Sequence, residues 1–257
     1  MQKKMTMDEF LKIIRRLRAE DGCPWDREQT HESLRGCMLE EAYEVAEAID
    51  NKDVANLREE LGDVLLQVAM HSVIAEVQEE FTMNEVLGEV GEKMIRRHPH
   101  VFGEIKVDTS SQALANWEEI KKAEKKENTT SESILRVPKA LPAAMRAEKV
   151  QKKAAKVGFD FADYEEAYKK VEEELLELEE ARKTGNKCKI EDEFGDLLFS
   201  IINLSRFLQI NAENSLTNAT NKFINRFVSV ESLALEEGRQ LKDMTIDEMN
   251  DLWNRVK

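Results

Sequence analysis

An acidic pattern that occurs twice constrains this chain more than any other feature. Glu41, Glu44, Glu60 and Asp63 form a Glu-x-x-Glu followed by a Glu-x-x-Asp. Glu174, Glu177, Glu193 and Asp196 repeat it, all four displaced by the same interval. Residues three apart share one face of a helix, so a register held at four positions implies two copies of one helical unit. Four carboxylates at this spacing make the donor set of a divalent-cation site and point to metal-assisted chemistry on an anionic substrate. Acid pairs at this spacing are common on solvated faces, but a solvated face has no reason to keep four acids in register twice. Gly62 and Gly195 lie inside the Glu-x-Gly-Asp of each copy, where glycine costs about 1 kcal/mol in a helix. A small residue there suggests the close approach of a ligand or a neighbouring helix.

The repeat divides the 257 residues into two tandem domains, expected at 1–126 and 142–257 with a linker at 127–141. The linker is placed by Glu127-Asn128-Thr129-Thr130-Ser131 and the prolines Pro138 and Pro142. Charged residues make up 35% of the chain against 10 glycines and 4 prolines, and no β alternation is sustained, so the fold class is all-α. A net charge of −14 argues against nucleic-acid binding through a broad basic surface. Cys23, Cys37 and Cys188 are an odd number with no C-x-x-C, which suits reduced thiols. The N-terminal residues lack the apolar stretch of a signal peptide, and no run of about 18 apolar residues could span a bilayer. The expectation is a soluble, cytoplasmic protein with no membrane partner.

Hydrophobic periodicity predicts helices over 6–20, 30–50, 54–78, 83–97 and 112–126 in the first half. The second half reads as helices near 142–156, 164–183, 190–210, 214–232 and 245–256. Leu39, Ala42, Val45, Ala46 and Ile49 form an apolar stripe edged by Glu41 and Glu44. Leu57, Leu61, Val64 and Val68 form another, flanked by Glu60 and Asp63. Packing the two stripes antiparallel across the short turn at Asn51-Lys52-Asp53 would bring four acids into one groove. Two like charges about 4 Å apart repel by about 4 kcal/mol at an effective dielectric near 20, so such a groove calls for cations. All-oxygen ligands select Mg²⁺, with Mn²⁺ as a substitute, over Zn²⁺.

These residues carry a family resemblance. CPWDREQT, LEEAYEVAEAI, REELGDVLLQVA and RRHPHVFGE in the first half, with RAEKVQKKAAKVGFDF, VEEELLELEEA, EDEFGDLLFSIINLSR and NKFINRF in the second, closely resemble the MazG family. The resemblance covers essentially the whole chain, including its tandem arrangement. It implies an all-α nucleoside triphosphate pyrophosphohydrolase that cleaves between the α and β phosphates with Mg²⁺, giving a monophosphate and pyrophosphate. It also implies a homodimer in which helical bundles are completed between subunits, and a house-cleaning role that removes unwanted nucleotides. The family's metal ligands fall on Glu174, Glu177, Glu193 and Asp196, taken as the catalytic set, with Glu41, Glu44, Glu60 and Asp63 as their counterparts. Glu40 and Glu173 precede each set as weaker candidates.

Basic residues are expected near each groove to hold the phosphates. Lys222 and Arg226 are i, i+4 on one helix, and Lys93 and Arg97 match them in the first half. Lys149, with Lys152 and Lys153, lends the second half a positive approach, which favours it as the working site; Arg15, Arg16 and Arg18 offer something similar in the first. Trp253, Trp25 and Phe159 could stack a base or anchor a helix junction. His98-Pro99-His100 reads as a helix stop and loop, His71 as a packed or interface histidine, and Cys37 and Cys188 as unreactive. Two further readings stay open: a narrow dUTP-type pyrophosphatase, and a non-enzymatic acidic module that binds a partner around a structural cation.

Overall fold

The computed structural model describes residues 4–124 and 129–256, and among them every regular element is helical. Two compact units divide the chain, Met1–Ala123 and Glu124–Lys257. No helix among the described residues is long and apolar enough to cross a membrane.

The first unit holds α1 (Met7–Leu17), α2 (Pro24–Glu28), α3 (His31–Asp50), α4 (Val54–Val77), α5 (Met83–Arg97), α6 (Pro99–Phe102) and α7 (Ser110–Glu124). Its starts are written in side chains: Thr6 and Glu9 close a capping box on α1, as Thr82 and Glu85 do on α5. Leu11 and Ile14 of α1, Leu34 of α3 and Met70, Val73 and Ile74 of α4 meet in one buried core with Met83. That core sits at the α1 end of the long α3–α4 hairpin.

The second unit holds α8 (Thr130–Leu135), α9 (Ala143–Ala155), α10 (Tyr164–Thr184), α11 (Lys187–Phe207), α12 (Ala212–Glu236) and α13 (Ile246–Arg255), with a 3₁₀ turn at Leu241–Asp243. α10 and α11 form the hairpin, and α9 packs against it. Val230 and Ala234 of α12 pack on Met244 and on Leu252 of α13. Glu248 ties this end down: hydrogen bonds at the Thr245 cap and from Arg239 hold its carboxyl at about 2.

Three expectations change. The segment read as a linker carries α8, capped by Thr129 and packed on α9; Glu127 and Asn128 lie outside the described residues. Pro138 and Pro142 both follow that helix and leave it intact. Pro99 does end α5, but it also opens the short helix α6, because proline lacks only an N–H that a first helical turn leaves unused. The stripes expected to seal α3 on α4 close only in part: Leu39, Ile49 and Leu61 stay exposed, while Leu34, Ala48, Ala69 and Met70 are buried. Val45, Leu57, Val64 and Val68 of the same stripes are half-buried, so the predicted seam forms along one edge and stays open along the other.

Candidate active site

Each hairpin turns through one left-handed residue, Lys52 at φ 56° and Gly185 at φ 67°. The next residue caps the second helix: Asp53 accepts from the Ala55 and Asn56 amides, Asn186 from those of Cys188 and Lys189. Glu44 lies eight residues before Lys52 and Glu60 eight after it; Glu41 and Asp63 lie eleven before and after. The same symmetry holds for Glu177 and Glu193, and for Glu174 and Asp196, about Gly185. Antiparallel helices rise equally on both arms, so residues equidistant from the turn meet. The hairpin alone therefore converts sequence spacing into clustered carboxylates.

Carboxylate oxygens of Glu41, Glu44 and Glu60 lie within 4.8 Å of one another, as do those of Glu174, Glu177 and Glu193. Among the described residues these are the two groups able to hold a metal ion. The fourth acid of each set, Asp63 or Asp196, stands outside the tight group. Asp63 is still close enough for its charge to act on Glu41 and Glu60, and Asp196 lines the same cavity as Glu174.

Crowding shows in the proton affinities. Glu41 is pushed up by burial first, then by a hydrogen bond to Glu44 and the charges of Asp63, Glu44 and Glu60. Glu60 rises through burial and the charge of Glu44. Glu177 rises through burial and the charges of Glu174 and Glu193, against the pull of Lys170. Such groups gain from a cation. The best fit is at Glu174, which is 5% exposed and whose Oε2 is buried with no hydrogen-bond partner. An all-oxygen donor set around an orphaned carboxylate oxygen suits a hard divalent ion.

The halves differ beyond the acids. Lys170 reaches Glu173 and Glu174, both at 2.7 Å, and those bonds hold its ammonium well above the usual lysine range. Cys37 occupies the equivalent position of the first copy. A cavity of about 580 Å³ lies beside the second cluster, with Lys170, Glu174 and Asp196 in its wall together with Gln151, Asn203 and Arg206. Arg206 is clamped by both oxygens of Asp160, at 2.6 and 3.2 Å. Sequence reasoning missed Lys170, Gln151, Asn203 and Arg206; comparing the two copies position by position along α10 and α11 would have flagged three of them.

Other predicted residues are placed as follows. Arg226 lies over the Trp253 ring at 5.8 Å, and Phe223 packs on the same ring at 5.4 Å. Arg97 lies over Trp117 at 5.4 Å in the first unit, so the two units repeat an arginine–tryptophan stack. Lys93 is half-buried on α5, and Lys149 and Lys222 are exposed. None of Lys149, Lys222, Arg226 and Trp253 lines the cavity. Trp25 is exposed, and Phe159, also exposed, contributes to the cavity wall. A Cβ at Gly62 or Gly195 would meet open space, so no neighbouring helix among the described residues crowds either position. His98 caps α5 and bonds the Met94 carbonyl at 2.7 Å.

Two all-helical units, each presenting a carboxylate cluster on a hairpin, define a duplicated metal-site scaffold. The MazG nucleotide pyrophosphohydrolase domain matches the chain twice, over residues 29–102 and 163–230, spans that contain both acidic sets. The nucleoside triphosphate pyrophosphohydrolase/pyrophosphatase MazG of Thermotoga maritima is 45% identical over 97% of this chain and 95% of its own. The nucleoside triphosphate pyrophosphohydrolase of Escherichia coli K12 is 41% identical over 98% and 97%. Uncharacterized protein YabN of Bacillus subtilis is 50% identical over 96% of this chain, which spans 51% of YabN. The chain belongs to the MazG family of nucleotide pyrophosphohydrolases, hydrolases that act on phosphorus anhydrides.

Proposed function

We propose that the second unit hydrolyses nucleoside triphosphates between the α and β phosphates, yielding a nucleoside monophosphate and pyrophosphate. Glu174, Glu177, Glu193 and Asp196 would hold Mg²⁺, or Mn²⁺ in its place. The observation that carries this reading is the buried, unpartnered oxygen of Glu174 inside a carboxylate cluster that opens on a cavity. A divalent ion held there would supply activation of water and neutralisation of phosphate charge.

The chain's own residues supply the rest. One carboxylate of the set accepts the proton of the attacking water as its oxygen bonds to phosphorus and pyrophosphate departs. Lys170, firmly cationic beside Glu173 and Glu174, is placed to meet a phosphate oxygen once substrate arrives. Lys222, Arg226 and Lys149 are assigned to the polyphosphate tail, with Trp253 holding the Arg226 guanidinium in place. In the first unit Asn203 and Arg206 are replaced, at the same interval, by Met70 and Val73, which are core residues. Glu41, Glu44, Glu60 and Asp63, with Lys93 and Arg97, are therefore assigned a structural or accessory cation site. The working protein is read as a homodimer that clears unwanted nucleotides.

Pyrophosphate release from a panel of canonical and modified nucleoside triphosphates, with and without Mg²⁺, tests this. Glu193→Gln should lower turnover by at least about a hundredfold, while Glu60→Gln leaves most of it. No pyrophosphate from any substrate, with folding verified, would sink the hydrolase reading. Loss in Glu60→Gln alone would move the chemistry to the first unit.

A further inference from the structure

The cavity of the second unit divides along α11. Asp196, with Lys170 and Glu174, marks its charged end, while Phe199 and Asn203 lie one and two turns further along the helix. Two turns span about 10 Å, a separation that suits the reach from a phosphate held at the cluster to the far edge of the same nucleotide's base. The walls between are apolar, with Phe199, Phe159 and Val150 among them.

Besides Ser200 and the Arg206–Asp160 ion pair, two amides stand in this part, and their orientations follow from their partners. Gln151 is 5% exposed, and its Nε2 donates to the Phe199 carbonyl at 2.8 Å. A carbonyl only accepts, so the nitrogen must face it and Oε1 must face away. That oxygen is buried with no hydrogen-bond partner. Asn203 is fixed in the opposite sense. Its Oδ1 accepts from Arg206, which can only donate and is itself clamped by Asp160. The Asn203 Nδ2 is left to donate. The cavity wall thus combines an acceptor with no donor among the described residues and a donor whose amide cannot turn over.

The fold does not require this polarity. Met70 and Val73, the counterparts of Asn203 and Arg206, are 3% and 2% exposed within the apolar core of the first unit. The same hairpin packs well with hydrocarbon at these positions, so the amide and guanidinium of the second unit call for a ligand.

We infer that this cavity seats the nucleobase: Gln151 Oε1 accepts from an N–H on the Watson–Crick edge, and Asn203 Nδ2 donates to the ring nitrogen or carbonyl beside it. This rests on the reading of the second unit as the hydrolytic site. The substrate class is then nucleoside triphosphates whose base offers an N–H next to an acceptor, as all four standard bases do. A base that lacks that N–H leaves Gln151 Oε1 buried and unpaired in the complex, and a site built around a hydrogen bond discriminates strongly against such an analogue.

Two substrate pairs test it on the intact protein: ATP against purine riboside triphosphate, and UTP against N3-methyluridine triphosphate. Each analogue should fall below its parent in kcat/KM by on the order of a hundredfold or more. Gln151→Met keeps the shape and removes the acceptor; it should raise KM for the better parent by about tenfold, leave kcat within about twofold, and shrink the parent-to-analogue ratio towards one. Asn203→Asp, which exchanges a donor for an acceptor, should also raise KM. Equal use of parent and analogue by the unaltered enzyme overturns the base assignment while leaving hydrolysis standing, and an undiminished ratio in Gln151→Met removes Gln151 from it. No turnover of any nucleotide would overturn the hydrolytic reading and this inference with it.

Discussion

His31 and His71 bring two ring nitrogens to 2.7 Å, with the rings stacked at 5.0 Å and nearly parallel. One Nδ1 must donate and the other must accept, so the contact requires at least one neutral imidazole. Burial, and then the neighbouring His31, hold the His71 pKa below the usual histidine range. The sign follows: below about pH 6.5 an unfolded chain takes up a proton that the folded one resists. The contribution is therefore complete above that pH and is lost as pH falls through the lowered native pKa. Urea unfolding of the wild type should show stability dropping from pH 7 to pH 5, and His71→Gln should flatten that portion of the curve. An unchanged slope in the variant would assign the loss to other groups. His71 sits on a helix whose other residues nearby are apolar, so its character as a packed residue is legible in the sequence; its partner on α3, across the hairpin, is not.

At the level of the element, both hairpins depend on one left-handed residue, and the two halves solve it differently. Gly185 adopts φ 67° without a Cβ to crowd the following carbonyl, whereas Lys52 does so with one, at a cost of roughly 1–2 kcal/mol. A Cβ at Gly185 would meet no other atom within 4 Å, so conformation alone decides there. Gly185→Ala should lower stability by about 1 kcal/mol, and Lys52→Gly should raise it by a little under that, both read as shifts in the chemical-denaturation midpoint. Opposite signs are the test, since surface effects at either site would not reverse between the two.

The same hairpins show what spacing reveals. The acid sets are legible because each is symmetric about a turn, and helical rise carries that symmetry directly into space. α8 is not legible, since the polar residues read as linker also form its cap and first turn, and the prolines that signal a break come only after it. The cavity is not legible either: Gln151 on α9 reaches Phe199 on α11, and shares a cavity wall with Asn203, through tertiary packing that no fixed spacing announces. A trace remains in the exchange of Cys37, Met70 and Val73 for Lys170, Asn203 and Arg206.

For the whole molecule, the apolar face that the hairpins leave open is the argument for association. Tyr43, Leu61 and Leu65 are exposed in the first unit; Leu176, Phe194 and Leu198 occupy the equivalent positions of the second copy and are exposed there too. An acidic chain that leaves the same large side chains open twice presents a surface suited to pairing, and two such hairpins face to face make a four-helix bundle. Each leucine fully covered contributes roughly 1.5–3 kcal/mol. Light scattering should therefore give twice the 29.6 kDa of one chain. Leu61→Glu and Leu198→Glu should weaken the dimer by at least about tenfold while far-UV circular dichroism stays helical, because neither side chain is buried within its own unit. A wild-type monomer at tens of micromolar would refute the pairing. Glu60 and Glu193 directly precede Leu61 and Phe194, so association would also withdraw water from the acid clusters and increase their need for a cation. Binding linkage then requires the converse: Mg²⁺ should tighten the dimer, and Glu193→Gln should reduce that effect.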